Sequence, residues 1–274
     1  MLGVLKKTLK SGLHQFGLLK PSQYVYFNLK TLSPAVLKSE LQYRTQKAPD
    51  GYALPPAHLI YDVIACRWGH VFLDSGERVV DDMAAILDKN NKPLSGFSDI
   101  LDFGCGCGRL IRQVHQRTDA NLMGSDYNGT LINWCQEHLP FATFNKNELA
   151  PPLDIPDASV DYIYARSVFT HLPLDLQIAW MKELHRVLRK GGCIYFTMHG
   201  RPLSSGLNEQ QLRTFNAGEL VVTYSSVAGE NLCSTFALSS FVETTLMDGF
   251  SMLDFVEGRS AAHLKQDVYL MQKL

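Results

Sequence analysis

Ile100-Leu101-Asp102-Phe103-Gly104-Cys105-Gly106-Cys107-Gly108-Arg109 decides the fold. A short apolar run enters a loop with glycine at every second position, and an apolar-periodic stretch follows at once. This reads as a β-strand turning into a helix. Its glycines accept positive φ and leave no Cβ between the backbone and a ligand. The helix start adds unpaired N–H groups at the carboxyl end of the strand.

Working outward, the periodicity predicts helices at 76–89, 109–117 and 130–138, and strands at 99–103, 121–126, 141–145 and 160–165. Pro173 opens a longer helix with Leu176, Trp180, Leu184, Val187 and Leu188 inside, and Arg189-Lys190-Gly191-Gly192 reads as its basic last turn and glycine stop. Strand 193–198 follows. Strand–helix alternation with short connections predicts a parallel sheet covered on both faces, an α/β doubly wound fold. Ligands of such sheets sit at the carboxyl ends of the strands. That places Gly104–Gly108, Asp126, the 145–150 loop, Arg166–His171 and His199 around one cleft.

After Gly200 the pattern breaks. Residues 201–237 are rich in Ser, Gly and Asn, with β-prone stretches at 220–224 and 233–238, and read as a cap insertion forming a hairpin over the cleft. Ser240-Phe241-Val242-Glu243 has the spacing of a capping box for a helix to about residue 247. Phe250–Val256 and Asp267–Met271 read as a terminal antiparallel pair.

The chain has 274 residues, 46% of them apolar and 19% charged, which fits a globular protein and not disorder. A formal net charge of −1 gives no reason to expect nucleic acid as a partner. The charge is uneven, however. Residues 1–49 hold eight Lys and Arg against one acid, Glu40, so 1–74 reads as a basic helical arm ahead of a domain spanning 75–274. Leu2, Leu5, Leu9, Leu13 and Phe16 follow helical spacing opposite Lys6, Lys7 and Lys10, for a helix that packs on the body or makes peripheral membrane contact. Tyr24, Tyr26, Tyr43, Tyr52 and Tyr61 line this arm, as packing or as acceptor-pocket residues, and Arg67-Trp68 could reach a bound carboxylate or simply pack together. Six scattered cysteines and no apolar run of about 20 residues read as reduced thiols in a cytoplasmic protein. Cys105-x-Cys107 lacks a second pair, so no metal is expected.

Spacing separates two ligand readings of the glycine turn. A dinucleotide fingerprint needs glycine at 109, where Arg109 stands. Asp102, two residues ahead of the first glycine, and Asp126, closing the next strand, instead suit a ligand that carries an ammonium group and a ribose.

Leu101–Gly108, Gly124-Ser125-Asp126, Pro156-Asp157-x-Ser159-Val160-Asp161-Tyr162-Ile163-Tyr164 and Leu184–Gly192 resemble, in order, the motifs of class I S-adenosylmethionine-dependent methyltransferases. The resemblance implies a seven-stranded sheet of order 3-2-1-4-5-7-6 with strand seven antiparallel, and S-adenosyl-L-methionine as cofactor. It implies that Asp102, Gly104, Cys105, Gly106 and Gly108 form the methionine cradle, that Asp126 binds ribose and that Tyr127 packs on adenine. Asn147, Glu148 and Leu149 would edge the adenine, and Arg166 and Ser167 would face the sulfonium and the acceptor. The absence of an Asn/Asp-Pro-Pro-Tyr motif after strand four turns expectation from base or amide acceptors towards a small molecule or a lipid- or sugar-linked acceptor. His171 and His199 are the candidate bases, with helix capping as the plain reading of His171. A nicotinamide-dependent oxidoreductase and a non-catalytic cofactor-binding partner protein are the alternatives.

Overall fold

A computed structural model describes residues 48–229, 233–258 and 265–274, with positions 34, 38 and 41. The expected helix at 2–16 and Tyr24, Tyr26 and Tyr43 lie outside the described residues. The chain divides into two compact units, 1–74 and 75–274. In the first, α1 (Ala57–Ile64) ends on Ala65 in the left-handed region, and the Arg67 guanidinium lies 4.4 Å over the buried Trp68 ring. That stacking is the packing alternative for this pair.

α2 (Gly69–Lys89) starts seven residues before the expected position 76, and the division between units falls within it. The second unit is built on β1 (Asp99–Phe103), α3 (Ile111–His115), β2 (Asn121–Asp126), α4 (Gly129–His138), β3 (Ala142–Lys146), β4 (Val160–Ala165), α5 (Leu174–Val187) and β5 (Leu188–Met198). The insertion carries α6 (Glu209–Asn216), β6 (Val221–Thr223) and β7 (Ser234–Phe236), and the sheet ends with β8 (Phe250–Val256) and β9 (Asp267–Lys273). The strands run β3-β2-β1-β4-β5-β9-β8, with β9 antiparallel to both neighbours and the first five parallel. In chain order within the sheet this is 3-2-1-4-5-7-6, the order the resemblance implied. β6 and β7 form the separate hairpin.

Leu101, Phe103, Ile163, Trp180, Leu184, Phe196 and Met271 belong to one buried cluster, with Trp180 4.6 Å from Phe103. Trp180 Nε1 donates to Leu149 O at 2.9 Å, so the core pins the loop after β3. Burying a large aromatic is worth about 2–3 kcal/mol, and its N–H here has a partner.

Three local expectations change. Arg189–Gly192 do not close α5: the helix ends at Val187, and Leu188 already pairs with Val160. Lys273 supplies the cation at that helix end instead, its Nζ donating to His185 O at 2.7 Å and Leu188 O at 2.8 Å. Arg189 is thereby left to bridge Asp99 and Asp161, each at 2.8 Å, while Gly191 takes φ +78° in an irregular strand start. The Ser240 capping box also fails to form. The helix has Leu238 as its N-cap, is α only over Ser239–Phe241 and widens to a π turn over Val242–Leu246. Thr244 bonds back to Ser240 O at 2.8 Å, the hydroxyl competition that loosens helices at Ser and Thr. Finally, α6 was not foreseen. Its signal was present in Asn208 and Gln211, which cap each other reciprocally.

Arg189 is 40% exposed, so Arg189→Ala is expected to cost no more than about 1 kcal/mol despite its two carboxylate partners. The urea midpoint reads this directly, and a loss of several kcal/mol would contradict it.

Candidate functional site

The turn after β1 is held by the neighbouring strand. Gly104 N and Cys105 N both donate to Ser125 O, at 2.7 and 3.0 Å, and Gly108 N donates to Cys105 O at 3.0 Å. Gly104 and Gly108 have φ of +78° and +79°, and a Cβ on Gly104 would lie 2.3 Å from Val168 Cγ2. Gly104→Ala therefore combines a left-handed backbone with a clash, an expected cost of about 2–3 kcal/mol and a melting point lower by roughly 5–10 °C. A melting curve matching the wild type would remove the steric argument. Cys105 contributes backbone only: its buried thiol points inward, 3.6 Å from Gly106 O, beside Cys135.

Asp126 closes β2 and reaches back over the turn. Its Oδ2 accepts from Gly106 N at 2.9 Å and its Oδ1 from Asn128 N at 2.8 Å. Each carboxylate oxygen keeps a second lone pair, enough for a ribose diol. Burial raises its pKa, and the two N–H donors oppose the rise. Asn147 N donates to Asp126 O at 3.1 Å, which sets the 147–149 loop beside it. The Asn147 side chain is spent internally on Ser125 Oγ and Glu148 O, and Glu148 pairs outward with Lys146 at 3.1 Å. Of the expected adenine-edge residues, Tyr127 and Leu149 keep exposed apolar surface, and Gly229 of the insertion lies against both.

Asp102 is 2% exposed, and its Oδ2 has no hydrogen-bond partner among the described residues. Burial pushes its carboxyl up to about 8, against the nearby Tyr164 hydroxyl and the Arg109 guanidinium, which lower it. Arg109 in turn is pulled down to about 10 by burial and by the like charge of Arg166. The Arg109 guanidinium thus lies near both this carboxyl and the Arg166 guanidinium.

At the ends of β4 and β5 lie the remaining expected residues. Arg166 bonds Ser167 Oγ and Gln266 Oε1, Ser167 Oγ also meets Gln266 Oε1 at 3.0 Å, and Ser167 N donates to Thr197 Oγ1 at 2.9 Å. His171 Nδ1 lies 2.6 Å from Cys233 O and His199 Nδ1 3.1 Å from Thr235 O, and the two rings stand edge-on at 6.3 Å. Burial lowers both imidazoles, His199 to about 3, where His171 and Arg166 add to the shift. Both are neutral at pH 7.

Gln266, Thr197, Gln177 and Thr235 escaped the sequence reading. They enter from the approach to β9, from β5, from α5 and from the insertion by tertiary packing, with no motif to mark them. Among the described residues no group of three or more His, Cys, Asp or Glu could hold a metal, and all six cysteines are free thiols.

The arrangement fits a cofactor with an ammonium group, a ribose and a flat base. The Oδ2 of Asp102, without a partner among the described residues, is free to take a donor, Asp126 keeps lone pairs for a diol, and Tyr127 with Leu149 offers an apolar face.

Residues 100–192 match the family described as a methyltransferase domain. The chain is 33% identical over 99 residues to sterol 24-C-methyltransferase of Aspergillus fumigatus, covering 34% of this chain and 26% of that protein. It is 31% identical over 107 residues to trans-aconitate 2-methyltransferase of Rhizobium rhizogenes, covering 39% and 40%. The chain therefore spans well under half the length of these curated relatives. Among solved structures it is similar to a putative sarcosine dimethylglycine methyltransferase from Galdieria sulphuraria, at TM-score 0.53 and 14% identity over 71% of this chain and 85% of the other. A second, from Mesorhizobium loti, is described as an S-adenosylmethionine-dependent methyltransferase and gives TM-score 0.52 at 14% identity over 73% and 100%. At such identities the likeness is one of fold.

Proposed function

We propose, from the premise that this chain belongs to the class I S-adenosylmethionine-dependent methyltransferases by its matched domain and its sheet order, that it methylates a hydroxyl or amine of a small-molecule or lipid- or sugar-linked acceptor. The observation that carries the reading is Asp126 arching over the glycine turn, with two neutral histidines at the ends of the next strands.

Bound S-adenosylmethionine supplies an electrophilic methyl group on a sulfonium leaving group. The chain's own work is alignment and proton handling. Asp126 would hold the ribose hydroxyls, the 104–108 backbone would lie against the methionine part with Asp102 and Arg109 at its charged ends, and Arg166 would face the sulfonium and the acceptor. Tyr127 and Leu149 would give the base an apolar surface. Well-oriented reactants can gain about 7–11 kcal/mol from alignment alone. His171 accepts the acceptor's proton. His199, held at about 3, is too weak a base and serves as a hydrogen-bond acceptor. The relatives named for sterols put lipid acceptors first among those to try, with trans-aconitate as the acid comparison.

A thermal-shift comparison of S-adenosylmethionine, its demethylated product and NAD tests the cofactor, and NAD alone stabilising the protein would sink the reading. Labelled-methyl transfer to a sterol, trans-aconitate and hydroxylated aromatics then tests the acceptor.

The Asp102 shift adds a pH dependence. A carboxyl at about 8 is protonated at pH 6–7 and must lose that proton to meet an ammonium group. Affinity for the demethylated product is expected to rise with pH up to about 8, by no more than about tenfold per unit, one proton being released. Asp102→Asn should abolish the slope in calorimetric titrations. In the free protein the sign is opposite: the folded state holds the proton more tightly than the unfolded, so stability falls as pH climbs from 3.8 towards 8.

A further inference from the structure

Each imidazole at the acceptor end has a backbone carbonyl as the partner of its Nδ1. A carbonyl only accepts, so Nδ1 carries the hydrogen in both rings and Nε2 carries the lone pair. Neither Nε2 has a hydrogen-bond partner among the described residues. Both carbonyls come from the same short stretch of the insertion, Cys233 immediately before β7 and Thr235 within it.

That stretch is fastened by one side chain. Thr235 is fully buried, and its hydroxyl donates to Phe169 O at 2.9 Å while accepting from Gln177 Nε2 at 3.2 Å. Gln177, also fully buried, reaches Phe169 O and Leu172 O at 2.9 Å each. These are the residues of the turn that carries His171. The insertion grips His171 a second time through Gly229 N, which donates to its carbonyl oxygen at 2.8 Å. Thr235 thus ties the His171 turn by its side chain and the His199 ring by its main chain.

We propose that Thr235 is a positioning residue, through which the insertion holds His171 and His199 in a single tautomer with both Nε2 lone pairs presented to an O–H or N–H of the acceptor. The inference rests on the methyltransferase reading for its purpose but not for its geometry. An insertion that only covered the site would leave the rings free to exchange tautomers. One that fixes them selects acceptors that bring hydrogens to donate over those that must themselves accept.

The test is nitrogen-15 NMR of the histidine side chains in the full chain saturated with S-adenosylhomocysteine, assigned with His171→Gln and His199→Gln. Both rings are expected to show a pyrrole-type Nδ1 and a pyridine-type Nε2. Thr235→Val should convert at least one to averaged, exchanging nitrogens, and Thr235→Ser, which keeps the hydroxyl, should restore the pattern. A wild-type spectrum with hydrogen on Nε2 of either ring overturns the proposal without need of any variant. Thr235→Val with unchanged nitrogens also overturns it. Failure of the functional reading shows elsewhere: the tautomers would stand while S-adenosylhomocysteine gave no thermal shift.

Discussion

His171→Gln is expected to lower methyl transfer by about 10²–10⁴-fold while leaving the affinity for S-adenosylhomocysteine within a few-fold of wild type. The magnitude is that of a positioned general base. Glutamine keeps an N–H for the Cys233 carbonyl but has no nitrogen lone pair that can take a proton, so the loss isolates proton transfer from folding. His199→Gln should cost less, because an imidazole held at about 3 is already a poor base at neutral pH. The measurement is turnover with the acceptor found by labelled-methyl transfer, beside calorimetry of the cofactor product. Full turnover by His171→Gln with a hydroxyl acceptor would dismiss the base assignment and leave His171 as a structural contact of the insertion.

Asp126→Ala is expected to weaken cofactor binding by 10²-fold or more. Hydrogen bonds to a charged group contribute about 1.5–3 kcal/mol each, and a ribose offers two, so roughly 3 kcal/mol is a modest sum. The substitution also frees Gly106 N and Asn128 N, which the carboxylate now accepts, so the turn itself loosens. Asp126→Asn separates the two effects, since its amide oxygen can keep one N–H bond. Calorimetry that finds wild-type affinity for Asp126→Ala would remove the ribose role.

What the sequence disclosed follows the range of the forces involved. Strand positions were legible because period-two and period-3.6 apolar patterns are local, whereas the strand order came only from the family resemblance. Helix ends were less so. Arg189-Lys190-Gly191-Gly192 carries every local mark of a helix stop, yet Lys273, 85 residues beyond Leu188, takes the carbonyls and releases Arg189 to the strand starts. The ends of β4 and β5 were half legible. His171 and His199 follow strands and could be named, whereas Gln266 lies 100 residues from the Arg166 it bonds and carries no signature of its own. Cys105 shows the converse: a residue inside a clear motif whose thiol is buried against Gly106 O and beside Cys135.

The position of β9 has a consequence for synthesis. β8 emerges from the ribosome first, but among the described strands its one neighbour in the sheet is β9, and β9 in turn must pair with β5, some seventy residues earlier. Until β9 has been made, β8 has no edge to join and β5 remains an open, pairing-prone strand, the exposure from which nascent chains aggregate. Gln266 stands at the entrance to β9, so the event that closes this edge also delivers the partner of Arg166 and Ser167. The nascent protein can shape its glycine turn early, yet it completes the Arg166–Ser167–Gln266 cluster only when its sheet is sealed.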